Sequence, residues 1–92
     1  MTELRQRVVV LIPYFENPAG LERSLESIRP DEPCDVLVVD DGSTEEPLDE
    51  DGARGHCHVQ GRLYVLRLDS NQGIEGALNA GLRWIEEAGY EF

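Results

Sequence analysis

The sequence predicts an α/β protein, a Rossmann-like parallel sheet assembled from βαβ units. Three observations carry that expectation. Short, largely apolar runs rich in β-branched residues recur along the chain, as strands covered on both faces require. Stretches with apolar residues at helical spacing lie among them. The second run breaks directly into carboxylates, as Val36-Leu37-Val38-Val39-Asp40-Asp41-Gly42-Ser43-Thr44. In open α/β sheets, ligands bind beyond the carboxyl ends of the strands, which is where this aspartate pair falls.

Val8-Val9-Val10-Leu11-Ile12 suits a buried strand. Pro13 is expected to end it, because proline cannot donate to a sheet ladder. Asn17-Pro18 supplies a helix start, an N-cap side chain followed by proline at the first helical position. Leu21, Leu25 and Ile28 fall on one face of that helix, Glu22, Arg23 and Glu26 lie off it, and Pro30 and Pro33 stop it. Val36 to Val39 is the second strand. From Glu45 to Arg62 the periodicity fades, and Gly52, Gly55 and Gly61 interrupt any long helix. That segment reads as a loop holding about one helical turn, mobile at Asp49-Glu50-Asp51.

Leu63-Tyr64-Val65-Leu66-Arg67-Leu68 is the third strand, and Asp69-Ser70-Asn71-Gln72-Gly73 is turn chemistry. Ile74 to Ala88 forms a second helix with Ile74, Ala77, Leu78, Gly81 and Ile85 along one side and Gly89 as its C-cap. Trp84 reads as partial core. Tyr90-Glu91-Phe92 looks like the opening of a fourth strand. Strands separated by crossovers pair in parallel. Residues 1–92 make one domain, with no internal repeat or linker.

The composition narrows the partners. Net charge is -11, with 19 acidic residues against 8 basic ones, all of them arginine. Such acidity disfavours nucleic acid and anionic membrane surfaces, which need basic patches. Two cysteines, Cys34 and Cys57, make no disulfide framework. Neither a signal peptide nor a membrane span is visible, so a cytoplasmic, soluble chain is expected. His56-Cys57-His58 with Cys34 is read as a chance cluster, because contiguous ligands are awkward for structural zinc. The chain contains neither G-x-G-x-x-G nor a P-loop, which counts against dinucleotide binding and P-loop chemistry.

Three strand ends carry polar or turn residues: Pro13-Tyr14-Phe15-Glu16-Asn17, Asp40-Asp41-Gly42-Ser43 and Asp69-Ser70-Asn71-Gln72-Gly73. A parallel sheet puts all three on one edge. Aromatic faces, carboxylates and amides gathered there are equipment for a base and a ribose. This combination, with Ala77-Leu78-Asn79-Ala80-Gly81 downstream, closely resembles the amino-terminal half of family 2 glycosyltransferases, inverting enzymes of the GT-A fold. Order and spacing match from Val8 to Phe92.

The resemblance implies a nucleotide-binding set of Pro13, Tyr14, Phe15, Glu16, Asp40, Asp41, Gly42, Asn71 and Gly73. Asp41 would accept from the imide N–H of a uracil or thymine, and Asp40 would fix the loop or meet the ribose. It also implies a partner, a nucleotide-diphosphate sugar of UDP or dTDP type, and transfer of its sugar to a hydroxyl with inversion. Mn2+ or Mg2+ would be the cofactor of the parent enzyme. Its aspartate ligands and the catalytic base are expected outside this chain, which is read as a truncated domain without catalytic or metal-binding residues and inactive alone. The sequence departs from the family pattern where Glu16 replaces an asparagine, where Leu78 replaces an arginine, and in the acidic 45–62 segment. A second reading is a non-catalytic Rossmann-like binding or assembly module, whose exposed sheet edge permits self-association.

Overall fold

Six elements alternate along the chain in the computed structural model, which describes residues 6–90. They are β1 (Val9–Tyr14), α1 (Pro18–Ser27), β2 (Asp35–Asp40), α2 (Glu50–His56), β3 (Leu63–Arg67) and α3 (Gly73–Glu87). The strands form a parallel sheet in the order β1-β2-β3, with Leu11 opposite Leu37 and Leu37 opposite Tyr64. The α/β, Rossmann-like expectation is met. Glu91 and Phe92, expected to continue a fourth strand, lie outside the described residues. Tyr90 is buried but not in a strand.

β2 is central and buried along its whole length. Its alternate residues feed two cores. Val36 and Val38 join Tyr14, Leu21, Leu25, Leu48, Ala53 and Leu63 under α1 and α2. Leu37 and Val39 join Ala77, Ile85 and Tyr90 under α3, with Trp84 packed at the margin and its ring centroid 5.2 Å from that of Tyr64. Each fully buried Val or Leu contributes roughly 1.5–3 kcal/mol relative to exposure. This explains why β2 reads as an unbroken apolar run: both of its faces are covered.

Pro13 does not end β1. The strand runs on to Tyr14, with Pro13 opposite Val39. The Val8 carbonyl accepts from the Asp35 N–H and the Tyr14 carbonyl from the Asp41 N–H just past β2, so the even-numbered positions along β1 turn their backbone toward β2. Pro13 therefore has its nitrogen on the outer edge, where no ladder bond is lost.

α2 is the second correction. The 45–62 segment holds a helix of 7 residues rather than a single loose turn. Asp49 caps it by accepting from the Gly52 N–H, so the expected mobile stretch supplies the cap and first turn instead. Glu50 and Asp51 begin it and Arg54 and His56 end it, which complements the helix dipole. An ion pair of 2.7 Å joins Glu50 to Arg54 one turn on, and Ala53 seats the helix in the core. Charge placement and a cap compensate for the glycines.

α3 begins one residue early, at Gly73, and ends at Glu87 with Ala88 as its C-cap, so Gly89 is the left-handed residue after the cap, at φ 95°, rather than the cap itself. Ile74 departs from its expected place in the core and is 68% exposed. On the same face Ala77, Gly81 and Ile85 are buried and Leu78 is half-buried.

α1 and α2 are joined at their surface by His56, whose Nδ1 meets Glu26 and whose Nε2 lies 3.7 Å from Glu22. The hydrogen bond to Glu26, aided by the charges of Glu22 and Glu26, raises the imidazole above its ordinary 6.5. A raised folded-state value means that this contact is fully present below the unfolded pKa and is lost as pH rises through the folded one. The stability difference between wild type and His56→Ala, measured by urea denaturation, is therefore expected to be larger at about pH 5.5 than at about pH 8.5. The same difference at both would refute the contribution.

Candidate functional site

The carboxyl ends of all three strands meet the first turn of α3, and the geometry there starts from two buried carboxylates. Asp40 is 3% exposed and Asp41 4%. A buried carboxylate is tolerated only with hydrogen-bond or charge partners, and each of these draws them from a different loop. Asp40 Oδ1 accepts from the Ser43 N–H at 3.0 Å and Oδ2 from the Leu48 N–H at 3.1 Å. Arg67 lies 3.5 Å from Oδ2 and also donates to the Leu48 carbonyl. Asp40 thus organises the loop between β2 and α2.

Asp41 turns the other way. Its Oδ1 accepts from the Gln72 N–H at 2.7 Å, and its Oδ2 from the Asn71 side-chain amide at 3.2 Å. The same amide reaches the Asp41 carbonyl at 3.3 Å. The turn between β3 and α3 is thereby held against the end of β2. Gly42 makes this approach feasible. It sits at φ 76°, and a Cβ there would come within 2.4 Å of the Ser70 backbone carbon and 2.5 Å of the Asn71 nitrogen.

The end of β1 is tied to the loop after β2. The Tyr14 hydroxyl donates to the Glu46 carbonyl at 2.6 Å, and the Tyr14 carbonyl accepts from the Asp41 N–H. Burial first, and then the charges of Asp40, Glu46 and Glu16, push the Tyr14 phenol above its ordinary range, so it stays a neutral donor. Glu16 adopts φ 49°, a left-handed conformation costing a non-glycine residue roughly 1–2 kcal/mol. Its carboxylate accepts from the N–H groups of Thr44, Glu45 and Glu46 at 3.0, 3.3 and 2.7 Å. Those bonds, from Thr44 and Glu46 foremost, hold Glu16 below the usual carboxylate range.

Between these loops lies a cleft of about 250 Å3, lined by Pro13, Tyr14, Phe15, Asp41, Asn71, Gly73, Ile74 and Ala77. Six of the nine residues expected to contact nucleotide are therefore brought together: Pro13, Tyr14, Phe15, Asp41, Asn71 and Gly73. The other three, Glu16, Asp40 and Gly42, do not line it and instead hold the surrounding loops. Phe15 at 48% exposure and Ile74 at 68% leave large apolar surfaces open to solvent. Sequence periodicity assigned Ile74 to the core and so missed it. The available signal was its position directly after Gly73, in the first turn of a helix that begins at a strand end. Pockets that enclose whole ligands usually measure ~300–1,000 Å3, so this one suits a part of a ligand.

The model of the family described as Glycosyl transferase family 2 matches residues 9–87. The chain belongs to that family. It is 35% identical over 86 residues to an undecaprenyl-phosphate mannosyltransferase of Micrococcus luteus, covering 92% of this chain and 35% of that protein. It is 37% identical over 67 residues to a probable porphobilinogen deaminase of Archaeoglobus fulgidus, covering 70% of this chain and 23% of that protein. Among solved structures, a mannosyltransferase of Pyrobaculum calidifontis in complex with GDP-Man and Mn2+ superimposes with a TM-score of 0.57 at 26% identity. That match covers 88% of this chain and 25% of the other. The chain thus spans between about a quarter and a third of the length of these three proteins.

The described residues of this glycosyl transferase family 2 chain do not fit a divalent metal. Among them no group of three His, Cys, Asp or Glu side chains is placed to hold one. The Asp40 and Asp41 oxygens are already turned to N–H donors. Around the His56-Cys57-His58 segment, His56 is committed to Glu26 and Glu22, and burial raises the Cys34 thiol away from thiolate. No described helix is long and apolar enough to cross a membrane.

The close approach at Gly42 generates a stability prediction. In Gly42→Ala the added Cβ meets backbone that cannot swing aside, at a φ that alanine disfavours, and a loss of about 3 kcal/mol is expected in urea denaturation. A loss under about 0.5 kcal/mol, the range of neutral surface substitutions, would contradict the packing described.

Proposed function

We propose that this chain forms the base-reading part of an enzyme that transfers a sugar, with inversion, from a nucleotide-diphosphate sugar to a hydroxyl acceptor. Family membership supports the reaction class. The single observation that carries the binding role is the convergence of three strand ends on one cleft that pairs an oriented carboxylate with open apolar surface.

The chemistry follows from the residues. Phe15 and Ile74 offer apolar surface to the faces of a planar ring, and aromatic stacking of a base contributes roughly 1–3 kcal/mol. Asp41, held by Gln72 and Asn71, presents an acceptor-only group to the ring edge. An ionised carboxylate attracts a ring N–H and repels a ring nitrogen lone pair. Uracil and thymine carry that N–H, and we read the donor as UDP or dTDP type. Guanine carries one as well, and the Pyrobaculum neighbour was solved with GDP-Man. Cytosine and adenine present a lone pair instead.

Metal ligands and the general base that deprotonates the acceptor are assigned, on this reading, to other parts of the parent protein. Asp40 and Asp41 are engaged in holding loops.

Calorimetric titration of the purified protein tests this. UDP, dTDP and GDP are expected to bind at least about tenfold more tightly than CDP and ADP, the difference made by one hydrogen bond to a charged acceptor. Asp41→Ala is expected to weaken UDP by about tenfold or more. Equal affinity in wild type and Asp41→Ala would remove Asp41 from base recognition, and equal affinity for all five nucleotides would remove the proposed readout.

A further inference from the structure

We propose that Glu16 is a positioning residue for nucleotide binding. Its carboxylate, seated on the backbone N–H groups of Thr44, Glu45 and Glu46, holds Phe15 in place as the aromatic wall of the cleft. The inference rests on the base-reading role proposed above and assigns a part to a residue that lies outside the cleft itself.

Phe15 is nearly half exposed, so packing alone does not fix its ring. Its backbone is fixed from both sides. On one side Tyr14 donates from its hydroxyl to Glu46 and accepts at its carbonyl from Asp41. On the other, the Glu16 N–H donates to Ser43 Oγ at 2.9 Å, and the Glu16 carboxylate takes up three successive N–H groups. Both ties reach the same loop between β2 and α2. Glu16 is also left-handed, at φ 49°, which turns the chain sharply directly after Phe15. Few non-glycine residues hold that conformation without local hydrogen bonds to compensate. Removing the carboxylate leaves the turn after Phe15 tied on this side only by the Glu16 N–H to Ser43, and the direction of Phe15 loosens with it. The benefit to binding is preorganisation: a wall ordered before the base arrives does not have to be ordered by it.

The three N–H groups are also what makes a carboxylate acceptable here. Glu16 reaches into a segment that itself carries Glu45 and Glu46, in a chain of net charge -11. Without those donors, like-charge repulsion would turn it out to solvent. The lowered pKa of Glu16 agrees with a carboxylate stabilised in its charged form.

A double-mutant cycle read by calorimetric titration of UDP and GDP tests the proposal. Phe15→Ala is expected to weaken binding by roughly tenfold, and Glu16→Ala by about fivefold. The double variant should bind no more weakly than Phe15→Ala alone, because Glu16 acts through the ring, whereas a general loss of stability would add in full. Amide hydrogen exchange at Thr44, Glu45 and Glu46 should quicken in Glu16→Ala. Should that variant not fold, Glu16→Gln, which keeps one acceptor oxygen, carries the same cycle with a smaller loss. Wild-type binding with fully additive losses, or with no loss in Glu16→Ala, overturns the Glu16 proposal alone. Unchanged amide exchange overturns the clasp. Absence of binding by the wild type overturns the base-reading role, and this proposal with it.

Discussion

Carboxylates on a fully buried strand must find hydrogen-bond donors, and the loops of this protein are arranged to supply them. β2 carries Asp35 at its start, Asp40 at its end and Asp41 just beyond, all at most 4% exposed. Moving an unpartnered carboxylate into such surroundings costs several kcal/mol, so each must recruit polar groups from elsewhere. Asp35 takes N–H groups from Gln6 and Arg62 and the hydroxyl of Tyr90. Asp40 takes the loop leading to α2, and Asp41 takes the turn leading to α3. No buried side-chain oxygen or nitrogen among the described residues lacks a partner. Acidic residues that would be a liability on another strand thereby bind together segments up to 55 residues apart in sequence.

This division explains why only one member of the Asp40-Asp41 pair lines the cleft. Adjacent residues on an extended chain point to opposite sides. Asp40 faces α1 and α2, where Tyr14 and Leu48 lie, and its oxygens go to the backbone of that side. Asp41 faces α3, where the cleft opens. Which aspartate lines the cleft is therefore set by strand parity. Glu16 extends the same logic to the edge strand, with a surface carboxylate organising the loop that Asp40 organises from beneath.

The parallel sheet, its central strand and two of its helices were legible because buried strands and amphipathic helices leave periodic apolar signals. Most of the cleft was legible for a related reason: strand ends in a parallel sheet share an edge, so Tyr14, Asp41 and Asn71 could be grouped without knowing their distances. What escaped the sequence was tertiary. Pro13 looked like a strand terminator because its nitrogen cannot donate, yet whether that nitrogen faces a neighbouring strand or an open edge is decided by sheet order. α2 was hidden because its stability comes from a cap, a charge gradient and one buried alanine rather than from an apolar stripe. Ile74 obeyed the helical period but lies where α3 overhangs the strand ends, so its face meets a cleft instead of a core.

The charge of the site limits what these residues can recognise. No described residue lining the cleft is basic, and Arg67 is committed to Asp40 and the Leu48 carbonyl. A diphosphate brought close to Asp41, in a chain of net charge -11, would meet repulsion that no described side chain in the cleft offsets. A neutral base meets none, and its ring N–H gains from the same carboxylate. On the proposed reading the cleft therefore selects by what the base presents and contributes little affinity for the phosphates. Their charge must be met by cations or donors supplied outside the cleft. On that reading the group facing the base is kept apart from the groups acting on the leaving phosphate.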